Sequence, residues 1–271
     1  MKNSKSIILA LFACFIALPF FAQKENILHR ELGIRIGTSF TTYNESRFSA
    51  MTKKYIQPKV GLVYIKMNDK KREELLVSYS STFKPSNSKN LWYKIINPEV
   101  NYTYQRKIEH TWIGGFYQSS TLLNFAKNGQ RLFGNNNISY TIANSLGVAA
   151  DFSKILMDKN NSHLDIGIGT KIALLNHVVR PAYAHPYPEH YLQEDVFTPT
   201  RDGLGKSIFK SGKIRTIDKY QSIKLIFSLN YYHKNHLKIG INYEGNFQNV
   251  REGKRANYKS QDLTFSVSYV Y

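Results

Sequence analysis

The sequence is poor in cysteine, in acidic residues and in long apolar runs, and each shortage excludes a class of protein. Its one cysteine, Cys14, lies in the apolar start of the chain, so the rest has no disulfide framework. Mean hydropathy is −0.39, and after residue 22 no stretch approaches the about 20 apolar residues of a membrane-spanning helix. Hydrophobic residues still make up 42% of the 271, so the chain is neither disordered nor a bundle of membrane helices.

The first 22 residues have the pattern of a cleaved secretory signal. Lys2 and Lys5 precede an apolar run at residues 7–21 that is too short to span a membrane, and Ala22 marks a candidate cleavage site. Cleavage there leaves residues 23–271 as one mature domain and lowers the formal net charge from +18 to +16, because two lysines and no acid are lost (18 − 2). An exported protein meets little nucleic acid, so we expect anionic surface lipid, not nucleic acid, as the partner of this charge.

Apolar and polar residues alternate in about ten segments of the mature chain, which is the period of a β-strand. The segments run for roughly 10–14 residues, longer than the ~5–6 typical of soluble strands. Short connections at residues 68–71, 108–110, 153–161 and 233–236 alternate with longer ones at 43–55, 84–94, 127–137, 176–217 and 250–259. This asymmetry is typical of an outer-membrane barrel with tight periplasmic turns.

The composition of the two faces separates a membrane barrel from a soluble barrel or sandwich, which also alternates. The major face carries almost no charge, as lipid requires, since Lys or Arg at the midplane costs ~2–4 kcal/mol. Aromatic residues near segment ends predict interfacial girdles, formed by Tyr43, Phe83, Tyr102, Tyr104, Tyr140, Phe152, Tyr220, Tyr231, Tyr243, Tyr269 and Tyr271. We predict an all-β fold: a closed antiparallel up-and-down transmembrane β-barrel of about ten strands, with about eight or twelve as alternatives.

The mature chain resembles the small outer-membrane β-barrel proteins of the Bacteroidota. The likeness rests on a signal ending at Ala22 followed by Gln23, and on a strand at residues 263–271 that finishes on an aromatic residue. In this class the barrel assembly machinery recognises such a strand, and the resemblance implies that Phe265, Tyr269 and Tyr271 form the assembly signal here. It also implies a location in the bacterial outer membrane, but no particular activity.

Charged residues on the minor face are the first candidate functional set. By parity they point into the lumen, and they are Arg35, Lys59, Glu74, Glu99, Asp165, Lys171, Lys224, Lys238, Glu244 and Asp262. A barrel of about ten strands is narrow, because roughly eight strands already fill with side chains and aqueous pores need ~16–18. We expect a network of ion pairs that plugs the barrel, with a narrow channel preferring anions as the alternative.

Basic residues of the long connections are the second candidate set. The residues we expect to contact lipid phosphate are Lys206, Lys210, Lys213, Arg215, Arg251, Lys254 and Arg255. Phosphate groups of surface lipid accept charge-assisted hydrogen bonds from such side chains. Ordinary solvated loop charge is the alternative interpretation.

The connection at residues 176–217 is the longest, and its "HPYPEH" stretch contains His185, Glu189 and His190. Pro186 and Pro188 exclude the helical turn that paired metal ligands use, so we predict no metal site and no cofactor. Acids and histidines here could serve an enzyme at the outer rim, but no nucleophile motif or paired-acid spacing is present. The predicted function is an integral outer-membrane barrel whose basic outer loops contact lipid or an envelope partner. A narrow channel and a rim enzyme are the alternatives.

Overall fold

The computed structural model describes residues 29–45, 49–82, 91–128, 138–159, 161–179, 212–234, 236–251 and 256–271. They form strands β1 (His29–Glu45), β2 (Ser49–Met67), β3 (Lys71–Ser81), β4 (Leu91–Ile108), β5 (Thr111–Asn128), β6 (Ile138–Lys159), β7 (Ser162–Val179), β8 (Lys213–Thr216), β9 (Tyr220–His233), β10 (Leu237–Val250) and β11 (Ala256–Val270). Across these ranges no helix is long and apolar enough to cross a membrane.

Ten of these strands close into a barrel. β1 pairs antiparallel with β2 and also with β11, in a register that runs from Glu31 opposite Val270 to Glu45 opposite Ala256. β7 pairs with both β6 and β9, which closes the ring. The four-residue β8 pairs with residues 175–178 near the end of β7. Closure gives each of the ten strands two neighbours and removes the open sheet edge. The prediction of a closed antiparallel barrel of about ten strands is confirmed.

The two ends of the barrel differ in their connections. The turn end carries the short hairpins that follow β2, β4, β6 and β9, together with His29 and Tyr271, the two ends of the described chain. Backbone φ is positive at Glu109, Asn161 and Lys234 in three of these hairpins, as expected for tight turns that match the twist of the strands. The loop end carries the remaining connections.

The sequence alternation divides the inside of the barrel from the outside. In β11, Asp262, Thr264, Ser266 and Ser268 are buried in the lumen, while Leu263, Phe265, Val267 and Tyr269 are exposed on the outer wall. The same division holds in β1, where Arg35 and Ser39 point inward and Ile36 is 60% exposed. The lumen is therefore polar, and the outer wall is apolar.

Several predicted connections are shorter than expected. The residues predicted at 43–55, 153–161, 176–217 and 250–259 lie between strands only at 46–48, 160–161, 180–212 with 217, and 251–255. In the longest of them, Leu175 pairs with Thr216 and Val178 with Lys213. Pairing with a neighbouring strand thus extends these strands past the point where the sequence stops alternating, because strand formation depends strongly on context.

Candidate functional site in the barrel lumen

Glu244 on β10 lies at the centre of a buried ion network. Its Oε1 accepts a hydrogen bond from Arg35 Nη1 at 3.2 Å, and its Oε2 lies 3.6 Å from Lys59 Nζ and 3.8 Å from Lys224 Nζ. Arg35, Lys59 and Lys224 come from β1, β2 and β9, so one carboxylate joins four strands across the lumen. Buried charges are tolerated only when paired and hydrogen-bonded in this way.

Two more carboxylates complete the network on either side of Glu244. Lys59 Nζ donates to Asp262 Oδ2 at 2.6 Å, and Ser39 Oγ donates to Asp262 Oδ1 at the same distance. Lys224 Nζ donates to Glu99 Oε1 at 2.6 Å. The resulting chain of charges crosses the lumen from β1, β2 and β11 to β4 and β9.

A second group of charges lies between this network and the turn end. Arg72 Nη2 donates to Glu74 Oε2 at 2.6 Å, and Arg72 Nη1 lies 3.9 Å from Asp151 Oδ2. Lys238 Nζ donates to both oxygens of Glu31, at 3.1 and 3.2 Å. Sequence reasoning missed Glu31, Arg72 and Asp151 as lumen charges. The signal was present, because each has the parity of the inward residues of its own strand.

The structure places all ten predicted lumen residues on the inner face, and it joins eight of them in ion pairs. Lys171 and Asp165 have no ion pair among the described residues. The described lumen holds the bases Arg35, Lys59, Arg72, Lys171, Lys224 and Lys238 and the acids Glu31, Glu74, Glu99, Asp151, Asp165, Glu244 and Asp262. Lys107 at the mouth of the lumen adds a seventh base, so seven bases against seven acids give a formal charge of 0 (7 − 7), with no excess of bases that would favour anions.

Tyrosine side chains fill the lumen toward the loop end. Tyr43, Tyr55 and Tyr258 pack with Ile95 and Leu122 in one buried cluster. The opening that remains beside this cluster has a volume of about 20 Å³, which is room for about one water molecule. The loop end of the described lumen is therefore nearly closed.

Two tyrosines predicted for the outer girdle lie inside the barrel, so that part of the girdle prediction is wrong. Tyr43 and Tyr220 are each at most 3% exposed and belong to buried clusters of the lumen. Tyr43 shares the parity of the inward residues Ser39 and Thr41. Its position in the strand therefore points it into the lumen, although its amphipathic ring would also suit the membrane interface. The predicted girdle residues found on the outer wall include Phe152, Tyr231, Tyr243, Tyr269 and Tyr271; Phe83 lies outside the described residues.

A cavity of about 270 Å³ occupies the lumen on the turn-end side of the central network. Its mouth is lined by His29, Met67, Lys107, Trp112 and Tyr232, which all lie close to strand ends at the turn end. Lys107 Nζ lies 5.7 Å from the centre of the Trp112 ring. The described lumen thus opens as a vestibule at the turn end and is narrow at the loop end.

The other predicted sites lie at the loop end and on the outer wall of β11. Lys213 and Arg215 lie on β8 and Arg251 follows β10, all at the loop end, whereas Lys206, Lys210, Lys254 and Arg255 lie outside the described residues. Phe265, Tyr269 and Tyr271 are exposed on the outer wall, and the last two rings stack with centroids 5.8 Å apart.

Metal ligands do not cluster in the part of the chain that the structure describes: no group of three His, Cys, Asp or Glu there could hold an ion. His185, Glu189 and His190 lie outside the described residues. The chemistry of the described lumen is that of ion pairs and hydrogen bonds.

Fold and lumen together define a closed ten-stranded antiparallel β-barrel with a charged interior and an apolar exterior. No protein-family model and no curated protein matches the sequence. Solved structures that are similar include Ail, the attachment invasion locus protein of Yersinia pestis, with 12% identity, a TM-score of 0.31 and coverage of 89% of this chain and 98% of that one.

Two further solved structures are similar at the same level. Neisserial surface protein A has 9% identity, a TM-score of 0.36 and coverage of 88% of this chain and 96% of that one. An outer membrane channel from Pseudomonas putida F1 has 7% identity, a TM-score of 0.35 and coverage of 91% and 96%. At these identities and TM-scores, no role for this chain follows from them.

Proposed function

We propose that this protein is an integral barrel of the bacterial outer membrane. The supporting observation is the exposure of large apolar side chains on the outer wall of every barrel strand: Ile36, Leu62, Val77, Val100, Ile113, Val148, Ile168, Leu225, Ile241 and Phe265. A soluble barrel would bury these residues and expose its charges. Lipid reverses this arrangement, and a closed barrel satisfies every backbone hydrogen bond within the hydrocarbon layer.

The role we propose is that of a structural or interaction barrel, with the loop end contacting surface lipid or an envelope partner. The charged network and the buried tyrosines obstruct the lumen, which favours this role over passive transport. The formal net charge of +18 and the position of Lys213, Arg215 and Arg251 at the loop end support contact with phosphate groups at the membrane surface.

Cell fractionation and gel migration test the membrane assignment. The protein should be recovered with the outer membrane after carbonate washing, and unboiled samples should migrate differently from boiled ones because the closed barrel resists detergent. Recovery in the soluble fraction, with one migration pattern in both samples, would show that the apolar wall is not in lipid.

A narrow channel is the second candidate, because the vestibule of about 270 Å³ already occupies part of the lumen. We expect no discrete current from the folded protein in planar bilayers, since Glu244 and its partners and the tyrosine cluster block the path. Stepwise conductance that persists in purified, folded protein would favour the channel and contradict the proposed role.

A further inference from the structure

The vestibule has the size and the walls of a binding site for a small molecule. At roughly 30 Å³ per water, its volume of about 270 Å³ corresponds to about nine waters. Gly167 and Gly169 line it from β7, and a Cβ at Gly169 would overlap the Asp151 carboxylate. The glycines therefore keep the space next to the charged side chains open.

Most cations that face the vestibule already have a carboxylate partner. The pairs are Arg35 with Glu244, Arg72 with Glu74, Lys224 with Glu99, and Lys238 with Glu31. In each pair the two charged atoms lie 3.2 Å apart or closer. These cations are already neutralised, and so are the carboxylates that hold them.

Lys171 is different from these four cations. It is 4% exposed and lines the vestibule from β7, and its Nζ donates to Asn101 Oδ1 at 2.8 Å and to Thr103 Oγ1 at 2.7 Å. Both partners are neutral, and none of the described carboxylates lies within 4.0 Å of Nζ. An ammonium has three N–H donors, so one donor is left without a hydrogen-bond partner, and none of the described carboxylates contacts the charge directly.

Two other buried donors in this region also lack partners. Asn101 Nδ2, on the amide that accepts from Lys171, has none, and neither does Nε of Arg35, which lines the same vestibule. The unpartnered acceptors Asp165 Oδ1 and Asn230 Oδ1 face each other on β7 and β9. Asp165 is six residues along β7 from Lys171, about 20 Å at 3.3 Å per residue, so it does not serve this cation.

We propose that the vestibule binds a small soluble oxyanion, a carboxylate or phosphate compound that enters from the turn end and places its anionic group against Lys171, which lines the vestibule. An oxyanion supplies both things this position lacks, a negative charge and several acceptor atoms. Such a site is independent of what the loop end contacts, so it stands or falls separately from the proposed role in the membrane.

Inorganic phosphate is the probe, and Trp112 at the mouth is the reporter. The chain has two tryptophans, and Trp92→Phe leaves Trp112 as the single fluorophore. Titration of the folded protein in nonionic detergent should give a saturable change in fluorescence with phosphate, and with acetate, that potassium chloride of equal ionic strength does not produce. No saturable change would mean that water alone fills the vestibule, and the proposal would be wrong.

Two substitutions locate the anion. Lys171→Met removes the charge at similar length and should weaken phosphate binding at least about tenfold, since hydrogen bonds to charged groups are among the stronger ones. Asn101→Asp supplies an internal carboxylate where Lys171 already donates, so it should abolish phosphate binding and raise the melting temperature. This second variant keeps the test decisive if Lys171→Met does not fold.

The paired replacement Glu31→Gln with Lys238→Met is the matched control. It removes a vestibule-facing ammonium together with its own carboxylate, so phosphate affinity should stay within about threefold, well inside the tenfold step of 1.4 kcal/mol. Equal losses in the control and in Lys171→Met, or full binding by Asn101→Asp, would contradict a site at Lys171. A response to phosphatidylglycerol micelles but not to free phosphate would indicate a lipid headgroup and would also overturn the proposal.

Discussion

Replacing Lys59 with methionine is expected to lower the free energy of unfolding by about 3–5 kcal/mol, the cost of leaving buried carboxylates without their cation. Lys59 Nζ lies 2.6 Å from Asp262 and 3.6 Å from Glu244, and both acids are at most 3% exposed. The measurement is urea unfolding of the protein folded into phospholipid vesicles, followed by gel migration of unboiled samples.

The control lies on the same strand. Lys54 is exposed on β2, and Lys54→Met should change the free energy of unfolding by no more than about 0.5 kcal/mol. Adding Asp262→Asn to Lys59→Met removes the unpaired carboxylate and should recover about 1–3 kcal/mol, the usual coupling of contacting residues. A loss below about 1 kcal/mol for Lys59→Met, typical of exposed ion pairs, would show that the network is not buried as described.

Replacing Ile36 with lysine is expected to cost about 2–4 kcal/mol, because it places a charge on the outer wall near the middle of the barrel. Ile36 is 60% exposed on β1, and on a soluble protein the same change at so exposed a position would be nearly neutral. The outcome therefore depends on what covers the outer wall. The free energy of unfolding from vesicles gives the size of the effect.

Leu32→Lys is the matched control for depth. Leu32 is 55% exposed on the same face of the same strand, four residues nearer the turn end, so its ammonium can reach the interface and the cost should be about 0–1 kcal/mol. Equal and small effects at both positions would place water, and not lipid, around the barrel.

The face on which each side chain lies was predictable from the sequence wherever alternation is strict. β11 agrees with its sequence pattern. Its polar residues, such as Asp262 and Ser266, face the lumen, and its apolar residues, such as Leu263 and Phe265, face outward. The same alternation explains why the girdle prediction is wrong for Tyr43, since Tyr43 has the parity of the inward residues of its strand. Its amphipathic ring fits a girdle as well as a polar lumen, so residue type alone was misleading.

The partners of the lumen charges were not predictable. Lys171 on β7 meets Asn101 on β4, three barrel strands away, and that contact depends on the register with which the ring closes. The same holds for Glu244, whose partners come from β1, β2 and β9. The sequence indicates whether a side chain points inward. It does not indicate the register between strands, which decides which inward side chains lie at the same height in the barrel.

The difference between the two ends of the lumen was also hidden in the sequence. Large inward side chains such as Tyr55 and Tyr258 close the loop end, while Gly167 and Gly169 leave room near the turn end. The sequence shows that each of these residues points inward. Only the pairing of the strands shows which of them lie at the same height in the barrel. The vestibule is therefore a finding of the structure alone.

A spin-label scan of β11 in lipid vesicles tests the central claim most directly. Single cysteines at positions 262–269, in a chain whose one native cysteine, Cys14, is replaced with serine, would carry nitroxides whose collisions with oxygen and with a water-soluble nickel chelate are measured. Oxygen, which concentrates in hydrocarbon, should collide most at 263, 265, 267 and 269 and least at 262, 264, 266 and 268. Preferential collision of the outward set with the nickel chelate would contradict a barrel that spans a membrane.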